Sequence, residues 1–370
     1  MRFPRITIYD RYIFKQVLFA TCVAILLFTI VWIAPEMLLN TIKDTLAGHY
    51  PVKTAIMYII YELPKILGKA FPVGLLLGTL FTFDKLSKDS ELTIFRAVGL
   101  SFKRIIAPVV VLSIIVTFLC YFTGDKLIPY AAYKTSQLSG HVKSTQFVYN
   151  QKDQSGFPMQ TVVVSRSSGK NLENIIVLDF AKEIYSDVHQ LSDIYFAKSG
   201  QVLDDKWELK DIIRYQISKD GIFVDIGKSD NMSILNSEAA QNAYILMTYS
   251  TKKEREINCT NLRNYVKLLK AEGMDEEYRY MKNKYLQRFF HPFVCILLAI
   301  MGCLLGFSKP REQRLVGFTI AIGCIFLYYI TLPFFDLLAE KGVLPPLITA
   351  AFPPLAFLGA IIGFYKVKDL

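Results

Sequence analysis

Histidine and accessible cysteine are scarce in this chain. Its four histidines, His49, His141, His189 and His291, are far apart in sequence and fit no metal-ligand or HExxH spacing, so a metal centre is not expected. Five of the six cysteines, Cys22, Cys120, Cys295, Cys303 and Cys324, fall in apolar runs. Only Cys259 lies in polar sequence, which leaves no disulfide framework for a polar domain. No Walker A pattern occurs, and no cluster of acids, histidines or a nucleophile near an interface marks an enzyme such as a membrane transferase. Charged residues make up only 20% of the chain, and the basic ones are dispersed rather than gathered in one domain, which argues against nucleic-acid binding. A secretory cleavage pattern is also missing. The first apolar run is long and follows a basic amphipathic lead, so it is expected to stay as an anchor.

What the chain has in abundance is apolar sequence in blocks. Of its 370 residues 52% are hydrophobic, and the mean hydropathy is +0.32. These residues cluster into runs rather than spreading at amphipathic spacing, as a bilayer requires and a soluble core does not. Three runs come first, Val17 to Ala34, Ala70 to Phe83 with a lead-in from Ala55, and Ile105 to Phe122. Three more follow a mostly polar block: Phe289 to Phe307, Leu315 to Phe335 and Leu347 to Phe364. Each suffices to cross about 30 Å of hydrocarbon as a helix of roughly 20 residues with some tilt. The expected fold is an α-helical membrane protein with six transmembrane helices and an all-β domain inserted between helices 3 and 4.

Lysine and arginine fix the expected orientation. Arg2, Arg5, Arg11 and Lys15 precede the first run, and Lys85, Lys88, Arg96, Lys103 and Arg104 lie between the second and third. Lys309, Arg311 and Arg314 separate the fourth from the fifth, and Lys366 and Lys368 close the chain. With six crossings all four sets fall on one side, which places both termini in the cytoplasm and the polar block outside it.

The polar block reads as strands. Thr161 to Ser165, Asn174 to Phe180, Ser192 to Ala197, Trp207 to Tyr215 and Gly221 to Asp225 are short β-rich runs separated by turn residues such as Ser167, Ser168 and Gly169, or Asp220 with Gly221. Such spacing suggests a sandwich or jelly roll, whose interior is either a plain stabilising core or an apolar trough for acyl chains. Leu262, Tyr265, Val266, Leu268 and Leu269 then return to helical spacing, behind Thr260 and Asn261 as capping candidates and ahead of Gly273 as a stop. A second helix is expected from about Asp275 into the fourth span. The expected division is residues 1–123 for helices 1–3 with a cytoplasmic helix at about 84–100, 124–258 for the β domain, 259–285 for a helical connector, and 286–370 for helices 4–6.

The loop from Asp84 to Arg104 carries the sharpest functional pattern. Ser90 offers a cap, Glu91 sits where a helix dipole favours negative charge, Leu92, Ile94, Phe95, Val98 and Leu100 provide apolar positions, and Gly99 supplies an end. Such a helix either rests in the lipid interface or is a docking ridge for a cytoplasmic partner, with Glu91 and Arg96 making charged contacts. Small residues four apart occur as Gly74 and Gly78, Gly302 and Gly306, and Gly359 and Gly363. These weak motifs suggest tight contacts within the chain more than a subunit interface. Pro64, Pro72, Pro333, Pro353 and Pro354 mark kinks, static or serving a gate.

Ser90 to Ser101 (SELTIFRAVGLS) resembles the S-E-L-x-x-x-R-A-x-G-hydrophobic-S signature of the lipopolysaccharide-export permeases, the LptF/LptG (YjgP/YjgQ) family. The resemblance extends over nearly the whole chain, through Asp10–Ile13 (DRYI), Glu62–Lys65 (ELPK), Phe71–Pro72, the helix Leu262 to Gly273, and Gly342–Pro346 (GVLPP). It implies the permease subunit of an ABC transporter in the bacterial inner membrane. Such a subunit pairs with a homologous permease, or with a second copy of itself, over a cytoplasmic LptB-type ATPase dimer. That partner would use ATP and magnesium, this chain itself holding no cofactor. It further implies a periplasmic jelly roll that passes lipopolysaccharide to LptC-type and LptA-type jelly rolls, an open sheet edge being able to continue the sheet into such a bridge.

The same resemblance makes the loop a coupling helix, with Ser90, Glu91, Leu92, Phe95, Arg96 and Gly99 as ATPase-coupling residues and Glu91 as the carboxylate that meets a basic residue of the ATPase. A cavity for a phosphorylated, multiply acylated lipid needs cations near headgroup level, and Lys43, Lys53, Lys65 and Lys69 are candidates, with ordinary snorkelling as the alternative for each. The stretch Trp32 to Glu36 departs from the basic residues that family members often carry there, which puts a first-helix phosphate clamp in doubt. Two alternatives share the architecture: an exporter of a different lipid, and a mechanotransmitting ABC subunit that passes no substrate through its membrane part.

Overall fold

The computed structural model describes residues 7–33, 38–48, 51–138, 147–152, 158–182, 189–203, 206–218, 221–235, 237–250, 252–307 and 314–367. Arg2, Arg5, Ala34 to Glu36, His49, His141, Asp220, Lys309, Arg311 and Lys368 lie outside these residues. Among those described, six helices are long and apolar enough to cross a membrane. They are α1 (Ile8–Ile33), α3 (Val52–Lys88), α6 (Ala107–Phe122) continued by α7 (Ile128–Leu138), α10 (Asp275–Gly306), α11 (Arg314–Glu340) and α12 (Pro346–Val367). A short α2 (Leu39–Leu46) joins the first two. The chain is thus a helical membrane protein with a β domain inserted after its third span.

Helix α3 has 37 residues, about 55 Å at 1.5 Å per residue, so it outruns a hydrocarbon layer of about 30 Å by a wide margin. Asp84 to Lys88, where the polar composition suggests the start of a loop, belongs to its last turns. Good helix formers and the absence of Gly or Pro after Gly78 let the helix continue. The third span likewise runs past Phe122, through a π turn at Thr123–Leu127, into α7.

The helical core is built on α3 and α10. Their most apolar stretches are 67% and 61% buried, against 28% for α1 and 17% for α11. Glycine makes this packing possible. A Cβ on Gly78 would stand 2.6 Å from the Cα of Thr21 in α1, and one on Gly306 would stand 2.6 Å from the carbonyl oxygen of Leu80. Gly74 meets Ile25 of α1, and Gly302 meets Leu76 and Thr79. Two of the small-residue pairs therefore clamp α3 between α1 and α10, whereas Gly359 and Gly363 face open space. Pro64, Pro72, Pro333, Pro353 and Pro354 all lie inside helices, as does Pro292 of α10.

The chain divides into two compact units, Met1–Ser139 with Glu254–Leu370, and Gly140–Lys253. The second is a six-stranded antiparallel meander in the order β1-β2-β3-β4-β5-β6. Its strands are β1 (Phe147–Lys152), β2 (Pro158–Ser168), β3 (Asn171–Lys182), β4 (His189–Val202), β5 (Trp207–Ile217) and β6 (Phe223–Ile234). β1 has no counterpart among the runs read from sequence. The imperfect alternation at Trp207 to Ile212 has a backbone cause. Asn174 and Asp211 adopt left-handed φ values of 52° and 55°, a conformation that Asn and Asp tolerate best among side-chain-bearing residues. Each flips the parity of its strand, so Leu172 and Ile175, and Leu209 and Ile212, all face the core. The register skips the aligned positions Ser165, Asn174, Lys198, Asp211 and Asp230 across five strands, a crease through the sheet.

A helix not read from sequence, α8 (Ser237–Ser250), follows β6. Its buried Ala239, Ala240, Ala243, Leu246 and Met247 follow helical spacing, the signal by which it was legible. Trp207, fully buried, donates its indole N–H to the Ala240 carbonyl at 3.2 Å.

Candidate functional site at the basic end of the helical unit

Between α3 and α6 the chain forms α4 (Glu91–Ala97) and α5 (Phe102–Ile105). Ser90 does not cap α4 with its side chain: it takes the left-handed conformation at φ 61°, and its hydroxyl makes no capping bond. The chain must turn sharply between Lys88 and Glu91, and a left-handed residue supplies the turn while the Ser90 carbonyl accepts the Ile94 N–H at 3.1 Å. Gly99, at φ 87°, ends the helix as its position in sequence suggests. The Leu100 N–H reaches the Phe95 carbonyl at 3.1 Å and the Gly99 N–H the Arg96 carbonyl at 2.9 Å, a Schellman closure. Gly273 ends α9 (Cys259–Ala271) in the same way. The cap of α9 is Asn258, whose side chain accepts the Asn261 N–H at 2.9 Å, rather than Thr260 or Asn261.

The closure divides α4 into two faces. Leu92, 1% exposed, and partly buried Phe95 pack inward, while Ile94 and Val98 stand 58% and 77% exposed. Ile94 and Val98, four residues apart, thus form an outward apolar ridge that composition alone would have placed with the buried set. Glu91 sits beside the ridge and accepts a hydrogen bond from the Tyr12 hydroxyl of α1 at 2.9 Å.

Three further elements, α1, α10 and α12, meet α4 and α5. The Tyr9 ring lies 5.9 Å from that of Phe95, and its hydroxyl donates to the Arg104 carbonyl at 2.6 Å. Arg104 stacks on Tyr9 at 5.1 Å and pairs with Asp10 at 2.8 Å, where the Asp10 side chain is 12% exposed. The same carboxylate oxygen also accepts from the backbone and hydroxyl of Thr7, closing the first turn of α1. Arg96 lies over Phe307, at the end of α10, at 5.6 Å, and Phe102 contacts Phe307 and Tyr365 of α12. An open groove beside α4 is lined by Arg96, Gly99, Leu100, Ser101, Phe102, Lys103 and Tyr365. The coupling candidates Ser90, Glu91, Leu92, Phe95, Arg96 and Gly99 are therefore gathered on one structural node. Tyr9, Asp10, Tyr12 and Arg104 complete it, and they were not legible as partners because the contacts span 79 to 95 residues of sequence.

The four lysines do not form one cluster. Lys65 and Lys69 lie one turn apart on α3, Lys53 is in its first turn and Lys43 is on α2. Lys65 is paired with Glu62 at 2.9 Å, and Lys69 is partly buried, its carbonyl accepting from Tyr329 of α11 at 2.7 Å. Sequence reasoning missed a denser polar group on α10, α11 and α12. Asp336 accepts from Asn283 and Gln287, each at 2.8 Å, and is ion-paired with Lys284, while Thr349 donates to Asn283 at 2.9 Å. The signal was present, since an acid within an otherwise apolar span marks a position that needs a partner.

A family model described as "Lipopolysaccharide export system permease LptF/LptG" matches residues 11–366 of the chain. Relatives named "Lipopolysaccharide export system permease protein LptG" cover it almost completely. The protein from Escherichia coli K12 is 23% identical over 365 residues, 94% of this chain and 95% of its own length. That from Haemophilus influenzae Rd is 23% identical over 367 residues with the same coverage.

Proposed function

Because the chain belongs to the LptF/LptG family of lipopolysaccharide export permeases, we propose that it is a membrane subunit of an ATP-driven machine that lifts lipopolysaccharide out of the inner membrane. A homologous permease stands beside it and a cytoplasmic ATPase pair beneath it. The basic end of the bundle faces that motor, in keeping with the excess of Lys and Arg in its short loops, and the β unit is periplasmic. ATP and magnesium belong to the motor.

One observation carries this reading: α4 offers an exposed apolar ridge, Ile94 and Val98, next to a carboxylate, Glu91, on a helix whose opposite face is anchored in the bundle. A partner that covers the ridge gains about 25 cal/mol for each Å² of apolar surface removed from water. A cationic side chain meeting Glu91 adds a charge-assisted hydrogen bond of about 1.5–3 kcal/mol. Neither gain is available to α4 alone.

At the other end the bundle handles an amphiphile. Its acyl chains need apolar walls and its phosphates need cations, for which Lys65 and Lys69, one turn apart on α3, and the separate Lys43 and Lys53 are the candidates. The β unit then takes the acyl chains against the apolar side of the creased sheet and delivers the lipid to further β domains of a periplasmic bridge. In the reconstituted complex Glu91→Lys is expected to lower transport and lipid-stimulated ATP hydrolysis about tenfold or more, the factor that losing one charge-assisted contact implies, while membrane insertion is retained. Unchanged transport in that variant removes the coupling role of α4.

A further inference from the structure

We propose that Asp125 and Arg288 are positioning residues for the transfer of lipid: together they latch the outgoing and the returning leg of the β unit to the fourth span, and the latch tightens as the transporter turns over. This rests on the lipid transfer proposed above and goes beyond it by naming the residues that keep the two legs in step with the spans.

Three observations combine. First, the latch sits where the chain passes between the two units. The helical unit gives way to the β unit after Ser139 and resumes at Glu254. Asp125 lies in the π turn from which α7, the outgoing leg, departs, and Arg288 lies on α10. The Arg288 Nη2 donates to the Glu254 carbonyl at 2.6 Å and to the Ile257 carbonyl at 2.5 Å, so it grips the returning leg at the residue where the helical unit resumes. Second, the same group reaches the outgoing leg. Asp125 accepts the N–H of Cys259, at the start of α9, at 2.6 Å, and stands 3.9 Å from the Arg288 Nη1. α7 also runs against the turn Glu254–Glu256. Three segments far apart in sequence therefore meet at one guanidinium. Its planar fork can hold two carbonyls and still face a carboxylate, as the point charge of a lysine cannot.

Third, the latch is short of one bond. The Asp125 and Arg288 side chains are 13% and 14% exposed, and Nη1 is buried without a hydrogen bond. A buried donor left unbonded costs stability, so strength alone gives no reason to leave one here. At 3.9 Å the pair lies about 1 Å beyond hydrogen-bond range, a distance that small sliding of packed helices covers. The π turn supplies the give, being a local departure from α-helical bonding of the kind that recurs at functional positions in helices. Closing the gap holds both legs to α10 at once. At its other end α9 is already fixed to α10, where the Tyr265 hydroxyl donates to Glu277 at 2.6 Å, so the adjustable joint is the one at Asp125.

The test uses the complete transporter complex in nanodiscs, in a Cys22→Ser, Cys259→Ser, Cys324→Ser background with nitroxide labels at Tyr133 of α7 and Lys267 of α9, both exposed. Nucleotide is expected to narrow the distribution of label separations. Arg288→Lys keeps the charge and loses the fork, and Asp125→Asn keeps an acceptor for the Cys259 N–H and loses the charge. In each the narrowing is lost, and lipid released per ATP hydrolysed falls about fivefold or more, the lower end of measured coupling between sites. ATP hydrolysis continues in both. The double variant falls no further than the worse single one, because both changes remove the same contact. A parent whose separations ignore nucleotide overturns the proposal, as do variants that keep the narrowing and the yield, or a double variant whose losses add. Failure of both single variants to assemble, or ATP hydrolysis that falls in step with lipid release, also overturns it, by showing the pair to be structural only. A parent that hydrolyses ATP and narrows on nucleotide yet releases no lipid supports the latch as a joint and overturns the lipid reading instead.

Discussion

Replacing Asp336 with leucine removes the acceptor shared by three polar side chains of α10. Asp336 and Lys284 are 14% and 13% exposed, so water screens their attraction little. The carboxylate also accepts from Asn283 and Gln287, and Lys284 lies over the Tyr280 ring at 5.3 Å. Two scales of magnitude compete here. Neutral hydrogen bonds between transmembrane helices average only about 0.6 kcal/mol, whereas removing one partner of a buried ion pair costs about 3–5 kcal/mol because the other charge is stranded. The second applies, since Lys284 would keep its charge without its carboxylate partner while Asn283 and Gln287 lose their acceptor. Asp336→Leu is therefore expected to destabilise the bundle by about 3–5 kcal/mol, and Asp336→Leu with Lys284→Met to recover to within about 1–2 kcal/mol of the parent. Gln287→Leu alone should cost about 0.6 kcal/mol. Reversible unfolding in bicelles, read as a double-mutant cycle, measures all three. A loss below about 1 kcal/mol for Asp336→Leu would refute the reasoning, because it would mean that Lys284 simply swings its ammonium to the interface.

Two predictions concern the β unit. Asn174→Val puts a β-branched side chain where the backbone is left-handed, at φ 52°, and should cost about 1–2 kcal/mol, read by urea unfolding through the emission of Trp207 in a Trp32→Phe background. Asp179 lies directly opposite Asp193 on the neighbouring strand, and burial, with the Asp193 charge in support, pushes its carboxyl above the ordinary carboxylate range. A raised folded-state value means that the folded form holds the proton more tightly than the unfolded chain. Stability is therefore gained as pH falls through the interval between the two values and lost as pH rises through it. Asp179→Asn should remove that slope and stabilise the unit at neutral pH by about 0.2–1 kcal/mol, the usual scale for like charges across strands. The same unfolding measurement repeated from acid to neutral pH checks it, and a variant whose stability keeps the parent's slope contradicts it.

How far the fold was legible depends on the range of the forces that set each part. The six spans follow from composition, because every backbone group in a bilayer must be satisfied within its own helix. The ends of helices α4 and α9 follow from Gly99 and Gly273, whose positive φ is a local demand. Where the signal is local but ambiguous, sequence and structure diverge. Ser90 has the chemistry of a cap, and the structure uses its backbone instead; Ile94 and Val98 have the chemistry of a buried face, and the structure turns them outward. The break in alternation at Asp211 was visible, but its cause was not, since it is shared with Asn174 on a strand that is not even its neighbour. Least legible were Tyr12 with Glu91, Asp10 with Arg104, and Asp336 with three residues of α10, all fixed by tertiary packing between segments far apart in sequence.

These contacts also show how the work is divided among the spans. α3 and α10 lock together through Gly302 and Gly306, with backbone so close that neither can shift without the other. They are the frame. α1 and α11 are the least buried spans, and each carries an ion pair near one end: α1 at the basic end, where Asp10 meets Arg104 of α5, and α11 near the opposite end, where Asp336 meets Lys284 of α10. Apolar burial alone would hold them weakly, because in lipid an apolar side chain gains little by facing protein rather than acyl chains. Ion pairs supply direction without extensive burial, and close contacts add to them elsewhere: Thr21 and Ile25 of α1 against Gly78 and Gly74, and Gly317 of α11 against Leu305. The helical unit thus sets a rigid pair at its centre, with flanking helices whose places depend on a few polar and close backbone contacts rather than on broad apolar burial.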